Sequence, residues 1–348
     1  MYPLENIRIL DLTNLLPGSF STMILSDLGA EVIKIEKPTD GNSARQTIPG
    51  LFEAIDRGKK SVELDLKNEV DKEILRNLIK ESDVLIEGFK PGVMKKLGFA
   101  KEDAEQLNSS IIYCSISGYG QDGPYSLLPG HDLNYLAVSG MLSISGDPKG
   151  SPEAAGGVQI AELATSLFTT ISILAALLQR TTQQDSVYID VSMVESALAF
   201  MIPRIAEYHA RGEPSKDNFM GRGAYGTFKT KDNQYIAIAC VEDMHWEKFC
   251  ETVGMKEFLL DEMFNSWMKR MENAEIINDR IAGIIAKKTL VEWMNLFAGE
   301  NIPISPVNSI KDLVKDPQLK YRKSILKKDG KLRAFYPAKF ENVAIKKQ

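Results

Sequence analysis

Ile7-Arg8-Ile9-Leu10-Asp11-Leu12, a helical pattern over residues 19–28, and Glu31-Val32-Ile33-Lys34-Ile35 together decide the fold. The first segment interleaves apolar and polar residues, which is the period of a strand. Pro17 and Gly18 punctuate its exit, and Gly29 ends the helical pattern. A second strand then begins at once. Strand, helix and strand in close succession imply a parallel pair, because a parallel return needs a crossover.

The same unit recurs on either side. Ser61-Val62-Glu63-Leu64, Asp83-Val84-Leu85-Ile86, residues 111–116 and Val187-Tyr188-Ile189-Asp190-Val191 read as further strands. Asn68 can cap a helix whose apolar residues Val70, Ile74, Leu75, Leu78 and Ile79 recur at helical spacing. This alternation predicts an α/β fold with a large, doubly wound, Rossmann-like domain. Ligands of such sheets bind beyond the carboxyl ends of the strands, here at loops 13–18 and 88–92. The first strand lacks a following G-x-G-x-x-G, and no P-loop occurs, so a conventionally bound dinucleotide is not expected.

The chain has 348 residues, enough for more than one domain. Residues 1–195 form the expected large domain, and 196–217 a linker helix and polar connector. A small α+β domain is expected over 218–302, with strands at 225–229 and 235–239 around the turn Lys231-Asp232-Asn233. Its helices fall near 244–253, 274–287 and 290–297, the last with Thr289 and Glu292 spaced as a capping box. Pro303 and Pro306 open a return linker, 303–317.

Apolar and charged fractions of 44% and 26% are those of an ordinary globular protein, and the net charge of -5 argues against a nucleic-acid binder. Three cysteines, Cys114, Cys240 and Cys250, make neither a disulfide framework nor a metal-ligand pattern; a reducing cytoplasm is expected. Three histidines complete a composition in which no metal site is expected. The first residues lack the basic and apolar regions of a signal peptide. Residues 163–179 carry no charge but include several Ser and Thr; a buried core helix is expected, not a membrane span.

The chemistry concentrates between residues 111 and 180. After the strand at 111–116 comes a glycine-rich turn, Gly118-Tyr119-Gly120-Gln121-Asp122-Gly123, then Gly130-His131-Asp132-Leu133-Asn134-Tyr135. A histidine near its ordinary pKa is the usual general acid or base, and a turn histidine with a purely structural role fits His131 equally well. Glu162 stands at a helix start, where the dipole favours a carboxylate; the uncharged stretch after it points to partial burial and a shifted pKa. Glu242 ends a strand-like run and could equally cap the next helix. Lys37, Arg57, Lys59, Lys60, Lys90, Lys95 and Lys96 follow strands of the first domain and form either a phosphate-binding rim or a solvated face.

Several linked motifs resemble one superfamily. They are Pro17-Gly18, the run from Asp27 to Pro38, Arg57-Gly58-Lys59-Lys60-Ser61, Phe89-Lys90-Pro91-Gly92-Val93, the turn at 117–125, and Ile173-Leu174-Ala175-Ala176-Leu177. In this order they resemble the class III CoA-transferase and α-methylacyl-CoA racemase superfamily across nearly the whole chain. The resemblance implies an interlocked homodimer whose large domain is completed by about 318–348. It implies a CoA thioester as substrate, with no prosthetic group, held near Lys37, Lys59, Lys90 and Lys96. Its acyl end would lie close to His131, with Gly130, Asp132 and Tyr135 alongside.

The motif at 130–137 is similar to the racemase branch, and Glu242 sits where racemases place an acid. Glu162 matches an aspartate of both branches and is longer by one methylene. A Gly-Glu-His-Thr-like segment common in the family does not occur in this sequence, and Gly221-Arg222-Gly223-Ala224-Tyr225-Gly226 is only a weak echo of the transferase glycine loop. The expected activity is racemisation or epimerisation of a 2-methylacyl-CoA by 1,1-proton transfer through an enolate. His131, oriented by Glu242, would serve one face and Glu162 the other. Backbone N–H groups near Asp132 or at the start of the Glu162 helix would hold the enolate oxygen. The alternatives are CoA transfer with Glu162 as nucleophile through a glutamyl anhydride, and a non-catalytic CoA-ester-binding subunit.

Overall fold

The computed structural model describes residues 1–38, 48, 50–154, 157–180, 182, 185–328 and 330–346. Residues 347–348, the end of the segment expected to complete the large domain, lie outside the described residues. The chain divides into a first unit of residues 1–145, 152–206 and 327–348, and a second of residues 146–151 and 207–326.

The first unit is built on six parallel strands: β1 (Arg8–Leu12), β2 (Glu31–Glu36), β3 (Lys60–Glu63), β4 (Val84–Glu87), β5 (Ile112–Ser117) and β6 (Val187–Ser192). Their order is 3-2-1-4-5-6, so the chain reverses its direction of growth between β1 and β4. That reversal opens a crevice at the carboxyl ends of the central strands. Both faces are covered. Ile9, Ile86 and Cys114 pack on one side with Leu25 of the Leu16–Asp27 helix and Ile173 of the Ile160–Gln179 helix. Leu10, Leu85 and Tyr113 pack on the other with Leu75 and Ile79 of the Glu69–Lys80 helix.

Double coverage explains one departure from the strand pattern. Asp11, a polar residue within β1, is as buried as its apolar neighbours. The first helix begins at Leu16, earlier than expected, with Pro17 in its first turn, where a missing N–H costs nothing. Asn68 does cap its helix, accepting from Val70 N at 2.9 Å. Of that helix's apolar residues, Leu75 and Ile79 are buried while Val70 and Ile74 face solvent. The Ile160–Gln179 helix, uncharged beyond Glu162, is long and apolar enough to span a membrane. Ala161, Ala164, Thr165, Thr169 and Ile173 are nonetheless buried within the unit, with Ala161 and Ile173 in the core beneath the sheet.

The second unit carries an antiparallel sheet of β7 (Tyr225–Lys229), β8 (Tyr235–Ala239) and β9 (Ile304–Pro306) in that order. β9 lies in the segment expected to be a return linker: Ile304 pairs opposite Ile238 and extends the small sheet beyond 302. The unit itself takes in 207–217 and continues to 326, past the expected limits. Its core joins Trp246, Phe249, Ile277, Ile281 and Trp293. Thr289 and Glu292 form the capping box, with Thr289 N donating to Glu292 Oε2 at 2.7 Å and Glu292 N to Thr289 Oγ1 at 3.3 Å.

Candidate active site

Two helix starts meet in the first unit. His131 is the N-cap of the Asp132–Val138 helix, and Glu162 lies in the first turn of the Ile160–Gln179 helix. Asp132 ties them together. Its Oδ1 accepts from Ala161 N at 2.8 Å and Glu162 N at 3.2 Å, satisfying donors that a helix start leaves open. Asp132 is therefore a cap reaching across from another helix, which is a framework role. Burial pushes its carboxyl up, and the backbone N–H bonds pull the other way.

Glu162 is half-buried. Burial pushes its carboxyl up from the ordinary value, the Asp132 charge adds to this, and His131 opposes it. The imidazole is thus near enough to act on the carboxylate electrostatically. His131 itself is exposed; its backbone N donates to Asn134 Oδ1 at 3.0 Å. An exposed imidazole beside a partly desolvated carboxyl places two groups of acid–base chemistry side by side.

The neighbouring glycines do a different job from the one their sequence context suggests. A Cβ at Gly118 or Gly130 would fall 2.7 or 2.8 Å from Tyr135 Cε1. Tyr135 is buried, its hydroxyl donates to Gly130 O at 2.6 Å, and its ring packs edge-on to Tyr119 at 5.3 Å. Gly130 and Tyr135 brace the loop that carries His131. Their contacts here are packing contacts. The expected enolate donors also need correction: the N–H groups of Ala161 and Glu162 are already bound to Asp132.

A separate cavity of about 230 Å³ opens at the carboxyl ends of β1 to β4, at the switch in strand order. Leu12, Asn14, Ile35, Leu66 and Phe89 line it, with Lys37 and Lys67. Lys90 and Lys96 are exposed, on the loop after β4 and on the Val93–Leu97 helix. Lys67 was missed from sequence. It follows β3 as Lys37 follows β2, and that parallel was the available signal.

Lys59 is a correction. Its side chain is 1% exposed, and its ammonium donates to Asp56 Oδ1 at 2.7 Å, Ser19 O at 2.9 Å and Asp11 Oδ2 at 3.2 Å. A cation committed in this way does not sit on a phosphate rim. Arg57 and Lys60 are likewise paired, with Asp27 and Glu31. Glu242 belongs to the second unit, where it is the N-cap of the Asp243–Val253 helix. Its side chain is 64% exposed and lies 3.9 Å from His245 Nε2. The site described in the first unit consists of His131, Glu162 and the residues that brace them.

Residues 4–344 match the family model described as CoA-transferase family III. Succinyl-CoA:glutarate CoA-transferase of Mus musculus is 35% identical over 329 residues, covering 92% of this chain and 75% of that protein. Alpha-methylacyl-CoA racemase of Homo sapiens is 32% identical over 330 residues, covering 93% and 82%. The crystal structure of a CAIB/BAIF family protein from Brucella suis superposes with a TM-score of 0.85 at 29% identity, covering 99% of this chain and 94% of that one. With a buried parallel sheet in the 3-2-1-4-5-6 order and a family match from end to end, this chain belongs to CoA-transferase family III.

Proposed function

We propose that the protein moves the α-proton of a 2-methylacyl-CoA thioester and so racemises or epimerises it. The supporting observation is the juxtaposition of His131 with Glu162, a half-buried carboxyl whose pKa is raised, beneath two helix starts joined by Asp132. One of the pair takes the α-proton, and the C–H electron pair moves onto the thioester oxygen as an enolate. The other returns a proton to the opposite face. The amides of Ala161 and Glu162 are bound to Asp132, and that of Asp132 faces the Glu162 carboxyl, so the enolate oxygen would have to displace one of these bonds. Lys37, Lys67, Lys90 and Lys96 would meet the phosphates of CoA around the switch-point cavity. The acyl-CoA carries the reactive group, and no prosthetic group takes part in this scheme.

The test is incubation with a (2R)-2-methylacyl-CoA in D₂O, without acceptor acid, following the α-proton by NMR. Deuterium incorporation with loss of configuration is the expected result. His131→Ala should slow exchange by about 100-fold or more, the scale of general acid–base catalysis. Exchange at the wild-type rate in His131→Ala would overturn the assignment.

A second reading is favoured by the 35% identity to a CoA-transferase. Glu162 would attack the thioester carbonyl, expel the CoA thiolate and form a glutamyl anhydride for an acceptor acid to open. It requires an acceptor and no α-proton exchange, so the same NMR experiment separates the two.

The assembly we propose is a homodimer. An apolar groove of about 1280 Å³ in the first unit is lined by Phe20, Met23, Ile24, Leu167, Ile171 and Leu174, and Leu167 and Ile171 are exposed. A second copy of the chain would cover it. Light scattering should give twice the 38.7 kDa chain mass; a stable monomer would count against this assembly. Cytoplasmic residence is part of the same proposal, in keeping with three buried free cysteines.

A further inference from the structure

The first unit buries a set of charges at the carboxyl end of β1 that the proposed chemistry does not use. Asp11 Oδ1 accepts from Thr13 N at 2.9 Å, Thr13 Oγ1 at 2.6 Å and Lys34 Nζ at 3.1 Å. Its Oδ2 accepts from Thr22 Oγ1 at 2.6 Å and Lys59 Nζ at 3.2 Å. Lys34 and Lys59 then reach on to residues 13–19, a short loop and the first turn of the Leu16–Asp27 helix. Lys34 donates to Thr13 O and, at 2.9 Å, to Ser19 Oγ, while Lys59 donates to Ser19 O at 2.9 Å. Asp56 completes the set on Lys59 at 2.7 Å. Two ammonium groups and two carboxylates balance, and the loop leading into the Leu16–Asp27 helix is held at Thr13 and at Ser19.

That loop bears on the helix of Glu162. Ser166, fully buried one turn further along, has its Oγ 2.8 Å from Pro17 O and 2.9 Å from Glu162 O, with one hydrogen to share between them. The contact is close all along. Ser21 Oγ meets Thr170 Oγ1 at 3.0 Å one turn further on. The chain of contacts runs from Asp11 through the lysines to the loop, from Pro17 to Ser166, and so to the carbonyl of Glu162.

We propose that Lys34, Asp11 and Lys59, acting through the Pro17–Ser166 contact, are positioning residues that set where the Glu162 carboxyl stands. The proposal rests on the reading of Glu162 as the reacting carboxyl. Buried ion pairs add little net stability and are often retained for placement. A displacement of about 1 Å at a reacting group costs on the order of 100-fold in rate.

The test uses Ser166→Ala, which removes the hydroxyl without stranding a charge, and Lys59→Met with Asp56→Asn, which removes a balanced pair. Each should lower kcat by about tenfold or more, with KM for the acyl-CoA within about threefold. Combined, they should be no worse than the pair alone within about threefold, because effects on one path do not add. Wild-type kcat in Ser166→Ala, or effects that multiply, would overturn the proposal. Should the paired variant fail to fold, Ser166→Ala decides by itself.

A second readout needs no turnover. The carboxyl of Glu162 can be titrated by infrared difference against Glu162→Gln in the wild-type and Ser166→Ala backgrounds. A titration moved by Ser166→Ala supports positioning even in a protein that exchanges no α-proton; that result would sink the catalytic reading alone. An unmoved titration with unmoved kcat sinks the positioning proposal and leaves the catalytic reading intact.

Discussion

Asp11 and Glu162 are carboxylates of one unit with opposite fates. Asp11 is completely buried, and burial pushes its carboxyl up; Lys34 and Lys59, with the hydroxyls of Thr13 and Thr22, overcome this and hold it well below the usual carboxylate range. Glu162 is less buried, yet its carboxyl is raised: burial is the main cause, the Asp132 carboxylate adds to it, and His131 and the Asp132 backbone N–H oppose them only in part. Depth of burial therefore does not decide the outcome. The partners do: a carboxylate given cations becomes framework, and one set beside a carboxylate keeps a proton within reach of chemistry.

The largest way to break this comparison is Asp11→Ala. Two buried ammonium groups would lose their shared carboxylate, and urea denaturation should record a loss of about 3–5 kcal/mol. The pH dependence follows from the depressed pKa. Asp11 contributes stability that is present above its unfolded value, about 3.9, and is lost as pH falls through the folded one. Acid unfolding of the wild type should thus be steeper than that of a folded Asp11 variant.

Glu162→Gln should do the reverse. Catalysis falls by about 100-fold or more, while Tm at pH 7 rises, because the amide carries no charge to bury. The sign comes from the raised pKa: the stability Glu162 confers is complete below its unfolded value and is lost as pH rises through the folded one. The Tm difference from wild type should close as pH falls to about 4. A Glu162→Gln protein less stable than wild type at pH 7 would show that His131 and the Asp132 N–H outweigh burial and the Asp132 charge.

Lysines sharpen the same contrast. Lys37 is exposed, so Lys37→Ala should leave stability within about 0.5 kcal/mol. It should raise KM for the CoA ester by roughly tenfold, the scale of one charge-assisted hydrogen bond, but not KM for an acyl-pantetheine that lacks the nucleotide. The smallest effect is that of Tyr135→Phe, which removes the bond to Gly130 O and should cost about 1 kcal/mol.

Sequence periodicity was sufficient for the frame. The six strands, the helix cap at Asn68 and the capping box at Thr289 all depend on residues within a few positions of one another, and local pattern records local interactions. His131 and Glu162 stood out in the sequence as candidates because a titratable group at the edge of an apolar element is itself unusual, and the fold places them within electrostatic reach of each other. The third strand of the small sheet was not, since a three-residue strand flanked by prolines has too little pattern to stand out.

Tertiary structure decided which charges do what. Lys34 and Lys37 lie within one stretch of β2 and its exit, and only the fold makes one a buried tie and the other a cavity wall. Lys59 meets Asp11 across 48 positions, and Asp132 caps a helix 29 positions away. Sequence supplies the charge and its place on an element. What that charge does depends on the dielectric and the partners around it, and those arrive from distant parts of the chain only when it folds.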